Sequence, residues 1–306
     1  QRYSVTLPYL EPNTVSIELG EEELYPGFSV VMERFNFNVL RPDDGRRVVL
    51  LQWLDFEYEL IQDVMDLIAY SEAQDLLDHT LVIDVTASSG GSRGAYAIQR
   101  LVDRPFRTTF GNLRISDAAI EMIEEWAVEP DRDVPEIFGL NESRSWLHAW
   151  AQTSAKQDVE AGLAYTRATP FKLAHLPHTS EDGILTPAPV HYTGPVAIIG
   201  GPNGGSHLDQ FVSMFADNDL AFTIGMPTGG YSNTWEAEET LYFPGTTQPV
   251  VQFMWNVGHT LRPNGEILEG NAVQPEVYVP LTRENFRTYH RDLLEAALDR
   301  LSRPVS

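Results

Sequence analysis

The sequence predicts an α/β protein with a mainly parallel, buried sheet, an N-terminal β-rich lobe over residues 1–47 and an insertion at about 129–192. Val48–Trp53 and Leu81–Val85 are short apolar runs, and between them Glu59–Leu77 repeats its apolar residues at helical spacing. A strand, an amphipathic helix and a second strand in this order form a βαβ unit. Its strands are parallel and buried on both faces, which accounts for their nearly continuous apolar character.

The two flanking regions differ from this core in pattern. Residues 1–47 alternate short β-prone runs with Pro, Gly, Asn and Asp, as in an antiparallel lobe. The insertion joins an acidic connection, a polar helical segment at 142–165 and a Pro/His-rich stretch. After Gly194 the α/β pattern resumes. The further elements that we predict are strands at 196–199, 221–224, 250–254 and 277–279, and helices at 95–101, 116–126, 207–216 and 284–301.

Composition excludes several classes of function. The chain of 306 residues has 44 acidic and 21 basic residues, a net charge of −23, and no Cys. There is therefore no disulfide, no thiolate metal site and no Cys nucleophile, so covalent catalysis would need Ser, Thr, Lys or a carboxylate. The negative charge disfavours nucleic-acid partners. No apolar run is long enough to span a bilayer. No HxxxH or HExxH spacing is present, and we expect neither a metal nor a cofactor.

A glycine-rich turn at 200–205 is the first candidate for chemistry. It lies between a buried strand and a helix and ends at Ser206, where the N–H groups of the helix start could stabilise an oxyanion. Two other interpretations of the same residues stay open. Ser206 could be an ordinary N-cap with Asp209 completing a capping box, or the glycines could cradle a phosphate, although the P-loop pattern is absent.

A second glycine turn, Ser88–Gly91, follows strand 81–85 and also precedes a helix. Two such turns in one parallel sheet lie at the carboxyl ends of their strands, where open sheets collect ligands. They could form one site or be two ordinary turns. Two later segments, Gly225–Tyr231 and Leu268–Val277, have no mechanistic meaning taken singly.

The order of these segments resembles the C-terminal processing (tail-specific) serine peptidases of the ClpP/crotonase superfamily. The matching stretches are Val48–Trp53, Leu81–Gly91, Pro195–Asp209, Gly225–Tyr231 and Gly270–Val279, and together they extend over roughly 48–303. The resemblance implies a core of repeated βα and ββα units and hydrolysis of peptide bonds. It also implies a peptide or unfolded protein as substrate, and no cofactor.

The resemblance assigns roles to individual residues. Ser206 takes the place of the nucleophile, and the N–H groups of Gly90 or Gly91 and of His207 take that of the oxyanion hole. Tyr231 stands where the Ser/Lys members have their basic Lys. A Tyr of ordinary pKa near 10 is a poor base, and the only lysines, Lys156 and Lys172, lie in the insertion.

A second branch of the family, with the tricorn core and the chlamydial protease-like activity factor, uses Ser, His and Glu and is the closer match. Glu269 corresponds to its Glu, but Gln52 stands about where the tricorn core has its His. The candidate bases are therefore His175, His178 and His191 in the insertion, and His259. His207 adjoins Ser206, but neighbours in the first turn of a helix point apart.

Three hypotheses stay open at this level. The chain is a serine peptidase acting through Ser206, or an inactive homologue that binds peptides or a partner protein, or a C-terminal fragment whose base lies in a missing N-terminal segment. Gln1 is then a processed terminus or a fragment boundary. The family and a sequon at Asn141 favour an extracellular or periplasmic location. The oligomeric state is open.

Overall fold

A computed structural model describes residues 2–3, 17–18, 24–57, 59–128, 140–170, 182–232 and 234–302. Sixteen strands and seven α-helices lie in these ranges. The strands are β1 (Arg2–Tyr3), β2 (Ile17–Glu18), β3 (Phe28–Glu33), β4 (Phe37–Pro42), β5 (Val48–Trp53), β6 (Thr80–Asp84), β7 (Phe106–Arg107), β8 (Phe110–Leu113), β9 (Thr169–Pro170), β10 (Ile184–Leu185), β11 (Val196–Gly200), β12 (Phe222–Gly225), β13 (Glu236–Tyr242), β14 (Pro249–Asn256), β15 (Gly258–Leu261) and β16 (Val277–Tyr278). The helices are α1 (Leu60–Ala73), α2 (Gly94–Leu101), α3 (Asp117–Trp126), α4 (Leu140–Trp150), α5 (Lys156–Glu160), α6 (His207–Asp217) and α7 (Tyr289–Ser302), and a π-helical turn, Ala151–Ala155, joins α4 to α5.

The centre of the molecule is a seven-stranded sheet in the order β16-β12-β11-β6-β5-β4-β3. The five strands from β16 to β5 run parallel, and β4 and β3 add antiparallel. The predicted α/β fold with a mainly parallel sheet is confirmed. The division into a lobe at 1–47 and a separate core stays a prediction, and β3 and β4, which fall within 1–47, continue the core sheet.

Both faces of the parallel strands are buried, each against different helices. On one face, alternate residues such as Leu51 and Ile83 pack with α1, α2 and α6. On the other face, Leu50, Val82 and Ile199 pack with α7. The side chains alternate between these two layers because successive residues of a strand point to opposite faces. Burial on both faces explains the nearly continuous apolar runs that identified these strands.

In the described part of the insertion, residues 140–160 form a helical layer, and the rest consists of loops with the short strands β9 and β10. Trp126, Trp150 and Trp235 lie with ring centroids 5.5–6.3 Å apart and join α3, α4 and the start of β13 in one apolar cluster. A small sheet of β15, β8 and β9 borders this layer. No helix in the described ranges is long and apolar enough to cross a membrane.

The strand predicted at 250–254 is present, but it lies outside the central sheet. It belongs to β14, which pairs antiparallel with β13 in a two-stranded unit, called the hairpin below. Its sequence resembles that of a buried strand because it is apolar and uncharged, yet all but the last of its residues are exposed.

Candidate active site

The two glycine turns meet at the carboxyl edge of the sheet. β6 and β11 are neighbouring parallel strands, and their registers end at Asp84 and Ile199. Each is followed by a turn and then by a helix, α2 after β6 and α6 after β11. The prediction that both turns lie at the carboxyl edge of the sheet is therefore confirmed.

Ser206 has a strained backbone at the start of α6. Its φ and ψ are 57° and −131°, a region that favours glycine. The Ser206 N–H donates to the carbonyl of Tyr231 at 2.8 Å, and its hydroxyl makes no capping hydrogen bond. The interpretation of Ser206 as an ordinary hydroxyl N-cap is therefore wrong. Its side chain is only partly buried and is available for another purpose.

Ser206 is packed directly against the second glycine turn. A Cβ placed on Gly90 would lie 2.6 Å from Ser206 Cβ and 2.9 Å from Ser206 Oγ. Gly91 has φ of 146°, and a Cβ there would lie 2.2 Å from the carbonyl oxygen of Phe56. Only glycines allow the turn to fit between Phe56 and Ser206, with Gly90 directly against the serine and Gly91 against Phe56.

The segment after β5 anchors the 88–91 turn. The Ser89 hydroxyl donates to the Asp55 carboxylate, and the Ser92 N–H donates to the Phe56 carbonyl at 3.0 Å. Phe56 and Gly91 also form a parallel bridge. Sequence reasoning missed the Asp55–Ser89 pair, since two polar residues 34 positions apart carry no local signal.

The 225–231 loop covers the glycine turn before Ser206. A Cβ on Gly205 would lie 2.0 Å from the Tyr231 ring, and one on Gly229 would lie 2.2 Å from the Gly204 carbonyl oxygen. Tyr231 thus contributes its carbonyl and its ring to the placement of Ser206, while its side chain is 45% exposed. The sequence resemblance placed this residue at the site, and the structure gives it a packing contact there.

The Asp209 side chain holds the 225–231 loop in place by hydrogen bonds. Its buried carboxylate accepts hydrogen bonds from the N–H groups of Gly230 and Tyr231 at 3.0 and 3.2 Å. It therefore does not complete a capping box with Ser206, and that interpretation is wrong. Burial raises the pKa of Asp209, against the lowering effect of its hydrogen bonds.

His207 points away from Ser206, as helix geometry predicts. Its Nε2 accepts a hydrogen bond from the N–H of Gly94, the first residue of α2, at 2.7 Å. Its buried ring lies edge-on to Phe56, with centroids 5.3 Å apart. The imidazole thus links the starts of α2 and α6, the two helices that follow the glycine turns.

Glu269 lies beside β15. Its carboxylate accepts from the Thr260 N–H at 3.1 Å and from Asn256 Nδ2 at 3.4 Å. His259, the residue before Thr260, stacks on Tyr165 with centroids 5.2 Å apart. The Glu269 carboxylate therefore lies next to the β15 residue that follows His259, while the His259 ring packs on Tyr165.

A buried chain of hydroxyl and amide groups connects this stretch to α6. Thr260 bonds Thr234 at 2.9 Å, Gln210 Nε2 donates to Thr234 at 3.1 Å and to Ser232 at 2.8 Å, and Thr109 donates to Gln210 Oε1 at 2.9 Å. Gln210 lies one turn after Ser206. Its neutral polar partners lie on two segments, Thr260 adds a third through Thr234, and no motif marked them in the sequence.

The histidines that the structure describes are engaged elsewhere. His191 Nδ1 bonds the Ala188 carbonyl at 2.6 Å. His191 precedes β11 and therefore lies near the amino end of this strand, whereas Ser206 follows its carboxyl end. His175 and His178 lie outside the described residues. Within the described ranges, no imidazole hydrogen-bonds Ser206 Oγ, and no cluster of three potential metal-ligating side chains occurs.

A mainly parallel sheet with two facing glycine turns at its carboxyl edge defines an α/β protein whose fold several solved structures share. Mature CPAF has this fold, with a TM-score of 0.64 at 16% identity over 92% of this chain and 57% of that one. CPAF complexed with lactacystin gives 0.63 at 17% over the same shares. A Parabacteroides merdae ATCC 43184 protein, provisionally named a peptidase, gives 0.58 at 15% over 92% and 70%.

These similarities confirm the predicted resemblance at the level of the fold. The chain spans just over half the length of the CPAF structures that it matches. No family model matches the sequence. No curated protein matches it either.

Proposed function

We propose that this protein is a serine peptidase-like hydrolase in which Ser206 forms an acyl-enzyme with a peptide substrate. The observation that carries the proposal is the conformation of Ser206. A residue with φ of 57° at the start of a buried helix, whose hydroxyl does not cap that helix, is held at a conformational cost. Such a turn presents a side chain at the end of a strand, as nucleophilic serines require.

Backbone N–H groups would stabilise the oxyanion. Gly90 approaches Ser206 Oγ from the facing turn, and His207 begins the helix behind it. A substrate carbonyl placed between them would have its developing negative charge near two N–H groups and near the positive end of the α6 dipole. Asp55, through Ser89, would hold the facing turn in place, and Asp209 would do the same for Tyr231.

The reaction needs a proton acceptor. Ser206 Oγ would attack the peptide carbonyl carbon while its proton passes to the base, and the base would then protonate the amine as the C–N bond breaks. Water would hydrolyse the ester by the same route in reverse. His175, His178 and His259 stay the candidates for this base. His191, at the opposite end of β11, and His207, bonded to Gly94, are poorly placed for it.

The second candidate function is peptide binding without turnover. One structural observation favours it, namely that no described imidazole bonds Ser206 Oγ. The sequence resemblance adds that Tyr231 stands where the Ser/Lys members have their Lys. A longer chain that supplies the base is the third candidate, in line with the partial coverage of CPAF. For each of these we propose a peptide or unfolded polypeptide as partner and a location outside the cytoplasm.

The test is turnover of an unfolded protein such as casein by the wild type and by Ser206→Ala. The proposal expects cleavage by the wild type and its loss in Ser206→Ala, with both proteins folded by circular dichroism. Lactacystin, which CPAF binds in its complex, should slow the wild-type reaction. Binding of casein without cleavage by either protein would favour the second candidate.

A further inference from the structure

One face of the hairpin carries most of its large apolar side chains. Cross-strand partners share a face, and the register pairs Leu241 with Val251 and Glu239 with Phe253, while Trp255 lies on the same side. The apolar face, defined as Leu241, Val251, Phe253 and Trp255, is 39–48% exposed at each residue, and Glu239 is the charged residue on the same side. A two-stranded hairpin is only marginally stable by itself, and a bound polypeptide that packs on this face would stabilise it.

The two edges of the hairpin differ in charge. β13 carries Glu236, Glu238 and Glu239, whereas the eight residues of β14 carry no charge. In the described part of the chain β14 pairs only with β13, so its outer edge presents backbone groups that can accept a further strand. The charges lie on the strand away from that open edge.

The base of the hairpin is built into the candidate active site. β13 begins five residues after Tyr231, and Asn256 at the end of β14 donates to the Glu269 carboxylate. Between Tyr231 and β13, Thr234 is bonded to Gln210 in the first turns of α6. The base of the hairpin is therefore linked through Thr234 and Gln210 to α6, the helix that follows Ser206.

The size of the apolar face decides between two kinds of occupant. At these exposures its four side chains present on the order of 300 Å², taking roughly 150–250 Å² for each side chain when fully exposed. A stable dimer needs about 800 Å² from each partner, and two copies of a chain with a net charge of −23 also repel each other. A transient extended strand fits the smaller area.

We propose that the outer edge of β14 and the apolar face bind an extended, apolar and non-acidic stretch of an unfolded polypeptide by strand addition and lead it to Ser206. This inference rests on the proposed function for the delivery step, but the binding step stands without it. Backbone hydrogen bonds would supply sequence-tolerant affinity, while Phe253 and Trp255 favour apolar side chains and the glutamates of β13 disfavour acidic ones.

Binding is measured in the Ser206→Ala protein, by fluorescence anisotropy of a short labelled peptide that alternates Val and Thr and carries two Lys. Phe253→Thr keeps a good strand former but removes the aromatic contact, and we expect affinity to fall about tenfold. Gln252→Thr, on the opposite face of the same strand, is the matched control and should stay within about twofold. A peptide with Glu in place of Lys should bind more weakly to all three proteins.

Equal affinities of the Phe253→Thr and Gln252→Thr proteins, or no binding by their parent, would overturn the inference. So would a concentration-dependent dimer in sedimentation that Phe253→Thr abolishes, because a second copy would then be the occupant. Failure of the proposed function has a different signature. In that case Ser206 of the wild type would not react with a serine-directed probe, while the peptide would still bind and still depend on Phe253.

Discussion

Replacing Ser206 by Gly should make the protein more stable than replacing it by Ala. Ser206 has φ of 57° and ψ of −131°, and a non-glycine residue held in such a region costs about 1–3 kcal/mol. Ala keeps the Cβ and therefore the strain, and it removes only Oγ. Gly removes both, at a cost of about 0.4–1 kcal/mol from the larger entropy of its unfolded chain.

The net expectation is that Ser206→Gly exceeds Ser206→Ala in free energy of unfolding by about 1 kcal/mol, the difference between these two ranges. For a chain of this size that corresponds to a rise of roughly 2 °C in Tm. Differential scanning calorimetry and urea titration of the pair would measure it. If the Gly variant is equally or less stable, Ser206 is not strained in solution, and the argument that it is held in place for chemistry fails.

Three further predictions concern the surroundings of Ser206 and the core. Gly90→Ala should abolish reaction of Ser206 with a serine-directed probe while leaving the circular dichroism spectrum intact, since the new Cβ would lie 2.6 Å from Ser206 Cβ; unchanged labelling would contradict the close packing. Burial raises the pKa of Asp209 above its ordinary 3.8, so its contribution to stability is present below pH 3.8 and lost as pH rises through the raised value. Urea titrations at a series of pH values from 3.8 upwards should show the wild type losing stability relative to Asp209→Asn. If the unfolding free energies of the two proteins change with pH in the same way, the prediction is wrong. Tyr192→Phe leaves the buried Ser71 hydroxyl without its partner at 2.6 Å and should cost about 1–3 kcal/mol of unfolding free energy, whereas a change near zero would show that water replaces the phenol.

The parts of the fold that could be predicted are those with a local signal. β5 has the bounds that its apolar run predicts, and α2 and α6 begin and end within a residue of their helical patterns. The glycine turns were recognisable because the chain needs glycine where two backbones approach each other. Their position at one edge follows from parallel pairing alone.

What sequence could not supply is contact over distance and the choice among equivalent strands. β14 has the composition of a core strand, and only the pairing with β13 shows that it stands apart. The anchoring of the 88–91 turn by Asp55 and the link from Gln210 to Thr260 join segments far apart in the chain. The role of Asp209 was misread for the same reason, since its acceptor function serves a loop 21 residues away.

The most direct test of the central claim is covalent labelling by a fluorophosphonate probe, read by intact mass and peptide mapping. The account predicts a single adduct on the peptide that contains Ser206, lost in Ser206→Ala and after denaturation. An adduct on another serine, or none on a protein shown to be folded, would contradict the assignment of Ser206 as the nucleophile.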